Sequence, residues 1–178
     1  MIAAQTPRLR ARLAATCAAA LVLAACSSPK PPPPKQVEVP RTLEITLQAS
    51  PSLNPDARER ASPVVVRIYE LKAPLSFQAA DFFALFEKDQ ATLGADLVAR
   101  EELQLRPGDS RTLPPRELKP EVRALGVFAA FRDLERSQWR TVIALPEPPA
   151  PTPTPPARPV PVAVGVTLGA REVRATLK

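Results

Sequence analysis

The sequence predicts a mainly β protein, a two-sheet antiparallel β-sandwich with one added α-helix. Three observations predict it. Several stretches alternate apolar and polar residues, turn residues such as Pro107-Gly108 and Gly169 separate them every ten residues or so, and only Phe77 to Lys88 changes to helical spacing. A small closed barrel is the alternative arrangement of the same strands.

Arg41 to Ala49 alternates strictly, with Leu43, Ile45, Leu47 and Ala49 on one face and Thr42, Glu44, Thr46 and Gln48 on the other, which predicts a half-buried strand. Pro63 to Leu71 is rich in β-branched residues and partly apolar on both faces, as in the middle of a sheet. Between this strand and the next, Ala79, Phe82, Phe83 and Phe86 recur at spacings of three and four. They predict one helix whose aromatic stripe packs on a sheet, with Ser76 or Asp81 at its start. Asp96–Leu105, Ala124–Phe131 and Trp139–Leu145 are further strands, while Pro114 and Pro115 weaken Arg111–Leu118. Val160, Val162, Val164, Val166 and Leu168 alternate along one late strand, and Val173, Ala175 and Leu177 mark a last one. Tyr69 and Trp139 fall in this pattern as core residues.

Ahead of the first strand, Arg8, Arg10 and Arg12 precede an apolar run, Leu13 to Leu23, that is too short to span a bilayer, which takes about 20 residues. It ends in Leu23-Ala24-Ala25-Cys26, the pattern of a bacterial lipoprotein signal, so residues 1–25 are expected to be removed and Cys26 to carry the lipid. Two or more acyl chains hold a protein on a membrane, where one binds only reversibly. The alternative is an ordinary secretory signal cut elsewhere. Ser27 follows the cysteine, and by resemblance to Gram-negative lipoproteins, in which Asp at that place retains the protein in the inner membrane, the anchor belongs in the outer membrane and the folded part in the periplasm. Residues 26–40 then form the lipidated cysteine and a Pro-rich tether, and 41–178 the sandwich domain with a Pro-rich insertion at 146–161. The tether's polyproline character gives it a reach of up to roughly 40 Å. The insertion, with nine prolines in sixteen residues, is expected to project between strands as an extended arm.

Composition excludes much chemistry. The chain has 178 residues, no histidine, and two cysteines, of which Cys17 leaves with the signal and Cys26 is taken by lipid. That removes the usual general base near neutral pH, the Ser-His-Asp and Cys-His nucleophiles and the usual zinc sites, and leaves no disulfide. No cofactor is expected beyond the covalent lipid. Loss of the three signal arginines lowers the formal charge from +6 to +3, and with Lys and Arg interspersed among acids nucleic-acid binding is set aside. Paired carboxylates are the remaining catalytic possibility. Glu101 and Glu102 point to opposite faces of a strand, and Asp81, Asp89 and Asp96 lie in no recognisable catalytic or calcium-binding loop, so an enzyme is not expected.

Ser50 to Ser62 joins two strands by far more than a hairpin needs, and long loops on rigid scaffolds carry function. Within it Leu53 reads as an exposed apolar anchor beside Asn54 and a Pro55-Asp56 turn, with Arg58 and Arg60 flanking Glu59 as a polar rim. The competing reading is a solvated loop whose Asn and Asp bond only their own backbone.

Asn54-Pro55-Asp56 followed by Arg60-Ala61-Ser62-Pro63-Val64-Val65-Val66-Arg67-Ile68-Tyr69-Glu70-Leu71 resembles the lipoprotein of the type VI secretion system, the TssJ or VasD/Lip family. Phe77 and Asp81-Phe82 with Leu85 resemble that family's helix. Leu105-Arg106-Pro107-Gly108 resembles its turn, and Val127 to Asp133 with Trp139-Arg140 its late strands. The resemblance implies a transthyretin-like sandwich with an added helix, anchored in the outer membrane. It also implies a structural role: binding the periplasmic domain of the inner-membrane protein TssM through the loop after the first strand. Carried over, that loop is Pro51 to Ala61, with Leu53, Asn54, Asp56, Arg58 and Arg60 as its candidate contacts. The insertion at 146–161 departs from the family pattern. The alternatives are an assembly or pilot lipoprotein of a different envelope machine, and a lipoprotein that binds a small ligand.

Overall fold

The computed structural model describes residues 35–154, 156 and 158–178. The signal segment, Cys26 and most of the tether lie outside the described residues. Gln36–Lys178 form one compact unit.

Alternation along β1 (Arg41–Ala49) buries Leu43, Ile45 and Leu47 and leaves Glu44 and Gln48 to solvent. It is the hub of one sheet. On one side it pairs antiparallel with two short strands, β5 (Arg116–Leu118) along its first half and β4 (Ser110–Thr112) along its second. Leu113-Pro114-Pro115 separates these two, because proline cannot donate to the ladder. On its other side β1 pairs along its whole length with β8 (Val160–Leu168), which pairs in turn with β9 (Val173–Leu177). The β1–β8 pairing is parallel, so the expectation of a wholly antiparallel sandwich is corrected at this one ladder. The second sheet runs in the order β3 (Leu97–Leu105), β2 (Val64–Leu71), β6 (Ala124–Ala129), β7 (Arg140–Ala144), all antiparallel, with β2 and β6 central as their two-sided apolar sequences require.

Period two divides the side chains of this sheet between two cores. Val64, Val66 and Ile68 of β2 and Leu125, Val127 and Ala129 of β6 meet β1 and β8 between the sheets. Tyr69, Leu71, Ala124 and Phe128 face outward and are covered by helices. Each large apolar side chain so buried contributes roughly 1.5–3 kcal/mol. At one edge the sheets are joined where Gln138 accepts the Val173 N–H (3.0 Å) and donates to Arg171 O (2.8 Å), an isolated bridge that stops short of closing a barrel.

The single expected helix is two, α1 (Leu75–Ala79) and α2 (Phe82–Leu93), broken at Ala80-Asp81. Asp81 caps α2 by accepting the Ala84 N–H at 2.8 Å, and the free carbonyls of α1 are taken by Arg140, which donates to Phe77 O at 3.1 Å and to Ala80 O. Lys88 is non-helical within α2. The carbonyls of Leu85 and Phe86 that this kink releases accept from Arg67 at 2.9 and 2.8 Å. The aromatic stripe is only partly a packing face: Phe82 lies on Phe128 and Trp139, whereas Phe83 and Phe86 are exposed and Phe77, Leu85 and Leu93 make the contact.

The proline insertion does not project freely. Thr152 makes an antiparallel bridge to Val37, with N–H to carbonyl distances of 2.9 and 3.0 Å, and the buried Arg41 donates to Pro146 O at 2.9 Å. Residues 146–152 therefore lie along Gln36–Pro40, just before β1.

Candidate functional site

Because β1 and β8 are parallel, three connections leave the sandwich at the same end: the β1–β2 loop, the β8–β9 turn and, from the C-terminal end of β6, the β6–β7 connection. The β3–β4 turn joins them, with Gly108 (φ +79°) donating to Ser50 O at 3.2 Å. The chain enters β1 at the opposite end.

Leu53, expected to be exposed, is fully buried in the core between the sheets. A loop this long turns back over the open end of the sandwich, and its one large apolar side chain plugs the gap. Asn54 is likewise buried, at 3 % exposure, and its backbone is left-handed at φ +48°, a conformation asparagine tolerates better than most residues. Its Nδ2 donates to Pro63 O at 2.7 Å, its Oδ1 accepts the Arg132 N–H at 2.8 Å, and its N–H donates to Ala170 O at 2.9 Å. One residue thus ties all three connections together. Neither Leu53 nor Asn54 has its side chain at the surface.

Beyond them the loop turns outward. Asp56 Oδ1 accepts the N–H groups of Arg58 (2.8 Å) and Arg60 (3.0 Å), and its Oδ2 takes the Arg60 guanidinium at 2.8 and 2.7 Å. These contacts, the Arg60 side chain foremost, hold the Asp56 carboxyl down at about 2. The backbone bonds Asp56 N–H to Arg60 O and Glu59 N–H to Asp56 O, both 2.9 Å, close the turn, with Glu59 at φ +59°. Arg58 and Arg60 are exposed at its tip.

Charge continues onto the neighbouring connections. Glu59 pairs with Arg171 (2.9 Å), Arg171 with Asp133 (3.1 Å) and Asp133 with Arg136 (2.8 Å). Partial burial alone would raise the Asp133 carboxyl, but Arg136 and Arg171 outweigh it and lower it. An open groove of about 600 Å3 runs between the loop and the β6–β7 connection, lined by Asp56, Glu59, Arg132, Asp133, Arg136 and Arg171 among others. The sequence singles out Asp56, Arg58 and Arg60 but not Arg132, Arg136 or Arg171, which lie far off in the chain; the dense charge of Arg132-Asp133-Leu134-Glu135-Arg136 is the local signal for the first two of these.

The carboxylates weighed for catalysis do not assemble. Glu101 pairs with Arg116 (2.9 Å) and Glu102 with Arg67 (2.6 Å) on opposite faces of β3, and Asp81 is the α2 cap. Asp89, on the buried face of α2, accepts from Tyr69 Oη (3.0 Å) and Arg100 (2.7 Å).

Residues 41–168 match the family model described as type VI secretion lipoprotein, VasD, EvfM, TssJ. No curated protein matches the chain. Among solved structures, the T6SS lipoprotein TssJ1 from Pseudomonas aeruginosa is 40 % identical, with a TM-score of 0.68, over 78 % of this chain and 97 % of that one. Serratia marcescens Lip, described as a membrane-bound component of the type VI secretion system, is 25 % identical, also with a TM-score of 0.68, over 79 % of this chain and 99 % of that one. A chain of the structure described as the T6SS protein TssM C-terminal domain (869–1107) from EAEC is 29 % identical, with a TM-score of 0.56, over 76 % of this chain and 99 % of that one. A family match over most of the sandwich, with 40 % identity to a solved member of the same fold, establishes that the chain belongs to the type VI secretion lipoprotein family.

Proposed function

We propose that the protein is lipidated at Cys26, held in the outer membrane with its domain in the periplasm, and that it anchors the secretion system's membrane complex by binding the periplasmic domain of a TssM-like inner-membrane protein. A structural lipoprotein of this family acts by binding, and the observation that carries the reading is the densely hydrogen-bonded loop end. Leu53 and Asn54 fix the β1–β2 loop from beneath, and Asp56 holds Arg58 and Arg60 outward at the end of the sandwich opposite the one where the chain enters β1. A preformed surface gives up little conformational entropy on association. The division at about residues 25 and 40 into signal, tether and domain belongs to the same proposal, and the similarity to a chain in a TssM structure supports the choice of partner.

The test is calorimetric titration of the mature chain, made lipid-free by Cys26→Ser, with the periplasmic domain of the TssM encoded in the same genome. Saturable binding that an Asp56→Ala, Arg58→Ala, Arg60→Ala variant loses while melting like the parent supports partner and surface together. Absence of binding to a folded partner overturns the reading in favour of a lipoprotein of another envelope machine. Cys26→Ala should release the protein from the outer-membrane fraction and abolish incorporation of labelled fatty acid.

A further inference from the structure

Five carboxylates at the loop end of the sandwich are already held by arginines of the same surface. Asp56 pairs with Arg60 (2.7 Å), Glu59 with Arg171 (2.9 Å), Asp109 with Arg111 (3.2 Å), Asp133 with Arg136 (2.8 Å) and Glu172 with Arg174 (2.9 Å). Among the described residues, no carboxylate lies within ion-pair distance of Arg58, Arg106 or Arg132 at this end, and only Glu135 is an acid there without an arginine. The end is thus internally neutralised apart from a surplus of positive charge.

Arg132 is the best placed of these cations. Its N–H is held at 2.8 Å by the buried Asn54 side chain, and the preceding Phe131 is buried, so its backbone position is fixed while its side chain is exposed on the groove. In the Arg136–Asp133 pair beside it, an i,i+3 contact, the arginine is exposed, and such surface pairs contribute little and exchange partners readily. A planar guanidinium so positioned, next to a second that can swing away from its own carboxylate, matches carboxylate side chains.

We propose that this groove receives an acidic segment of the periplasmic partner, with Arg132 as its principal contact and Arg58 at the rim. This rests on the function proposed above and names the chemistry of the surface the partner presents. Complementary charge acts most on association rate and weakens with salt. The surplus faces away from the end at which the tether joins β1, which favours a protein occupant over an anionic bilayer.

The experiment titrates the mature Cys26→Ser chain with the TssM periplasmic domain at about 50 mM and about 500 mM NaCl, a range over which surface charge is strongly screened. It compares Arg132→Glu, Arg132→Gln and Arg58→Glu with a control, Lys72→Glu, an exposed cation beyond the other end of β2. Thermal unfolding establishes that each variant is folded. Expected are a parent affinity that falls about tenfold or more across the salt range, a loss of about tenfold for Arg132→Glu with a flatter salt response, a smaller loss for Arg132→Gln and Arg58→Glu, and no change for the control. Parent binding that is indifferent to salt, with Arg132→Glu equal to the control, overturns the acidic-segment proposal and leaves the proposed function standing. No parent binding overturns both. Binding of the chain to phosphatidylglycerol vesicles that Arg132→Glu abolishes, without any effect of that variant on the protein partner, overturns it in favour of a membrane surface.

Discussion

At Asn54 each polar atom meets a different partner, and the residue is buried. Replacing it by Ala leaves Pro63 O and the Arg132 N–H without partners and keeps a side chain at positive φ, so Asn54→Ala is expected to cost about 2–3 kcal/mol in urea unfolding. Leu53→Ala empties a core site and should cost about 3 kcal/mol, which makes it a measure of folding and unsuitable as a test of partner contact. Asp56 behaves differently because it lies half-buried at the surface, outside the core. Its folded carboxyl is depressed to about 2, below its unfolded value, so its contribution to loop order is complete above about pH 4 and is lost as the pH falls through 2. Proton NMR of the Arg58 and Arg60 amides should show them leaving their bonded positions over that window, and in Asp56→Ala at all pH values. At this scale the chain was half legible. Asn54 and Asp56 stood out as turn formers, but that Leu53 points inward depends on the open end of a sandwich that only distant strands create.

Among the elements, α2 is the one whose seating depends on charge. From its buried face Asp89 reaches Tyr69 and Arg100, with Arg67 at 3.5 Å; burial alone would raise its carboxyl, but Arg100 and Tyr69 lower it. Removing one member of such a buried set leaves the others uncompensated, so Asp89→Ala is expected to destabilise by about 3 kcal/mol and to loosen α2, read as faster amide exchange in Phe82–Leu93. Linkage has the same sign as for Asp56: the stabilisation is present above the unfolded carboxyl value and lost on acidification. Facing α1, Gly126 has no room for a methyl group. A Cβ there would stand 3.0 Å from the Phe77 ring, and Gly126→Ala should cost about 1–3 kcal/mol unless α1 shifts. The sequence marks β1 and β8 to the residue, since their alternation is strict and one face of each is buried, whereas the stretch expected as one strand over Arg111–Leu118 is two, β4 and β5, and the one expected to reach Phe131 ends at Ala129. The helices were read less well. Spacings of three and four among Phe82, Phe83 and Phe86 announce a helix without saying which side meets the sheet, and the break at Ala80-Asp81 is held by Arg140, a residue sixty positions away.

Across the whole molecule, the least legible feature is the parallel ladder between the first strand and the last but one, because its partners are separated by most of the chain and by the proline insertion. That ladder spans nine residue pairs and fixes the register without help from the insertion. Replacing residues 147–158 with a short turn should therefore change the unfolding free energy by less than about 1 kcal/mol, while freeing Gln36–Pro40 to protease. The direction of the ladder has a mechanical consequence. A pull on the chain ahead of Arg41, opposed by a grip on the loops at the far end, runs along the axis of β1, so the β1–β8 hydrogen bonds are strained together in shear instead of being peeled apart one after another. A strand held in this way gives way only when many bonds fail at once, which makes the slow forced-unfolding rate the quantity that limits the load it can bear.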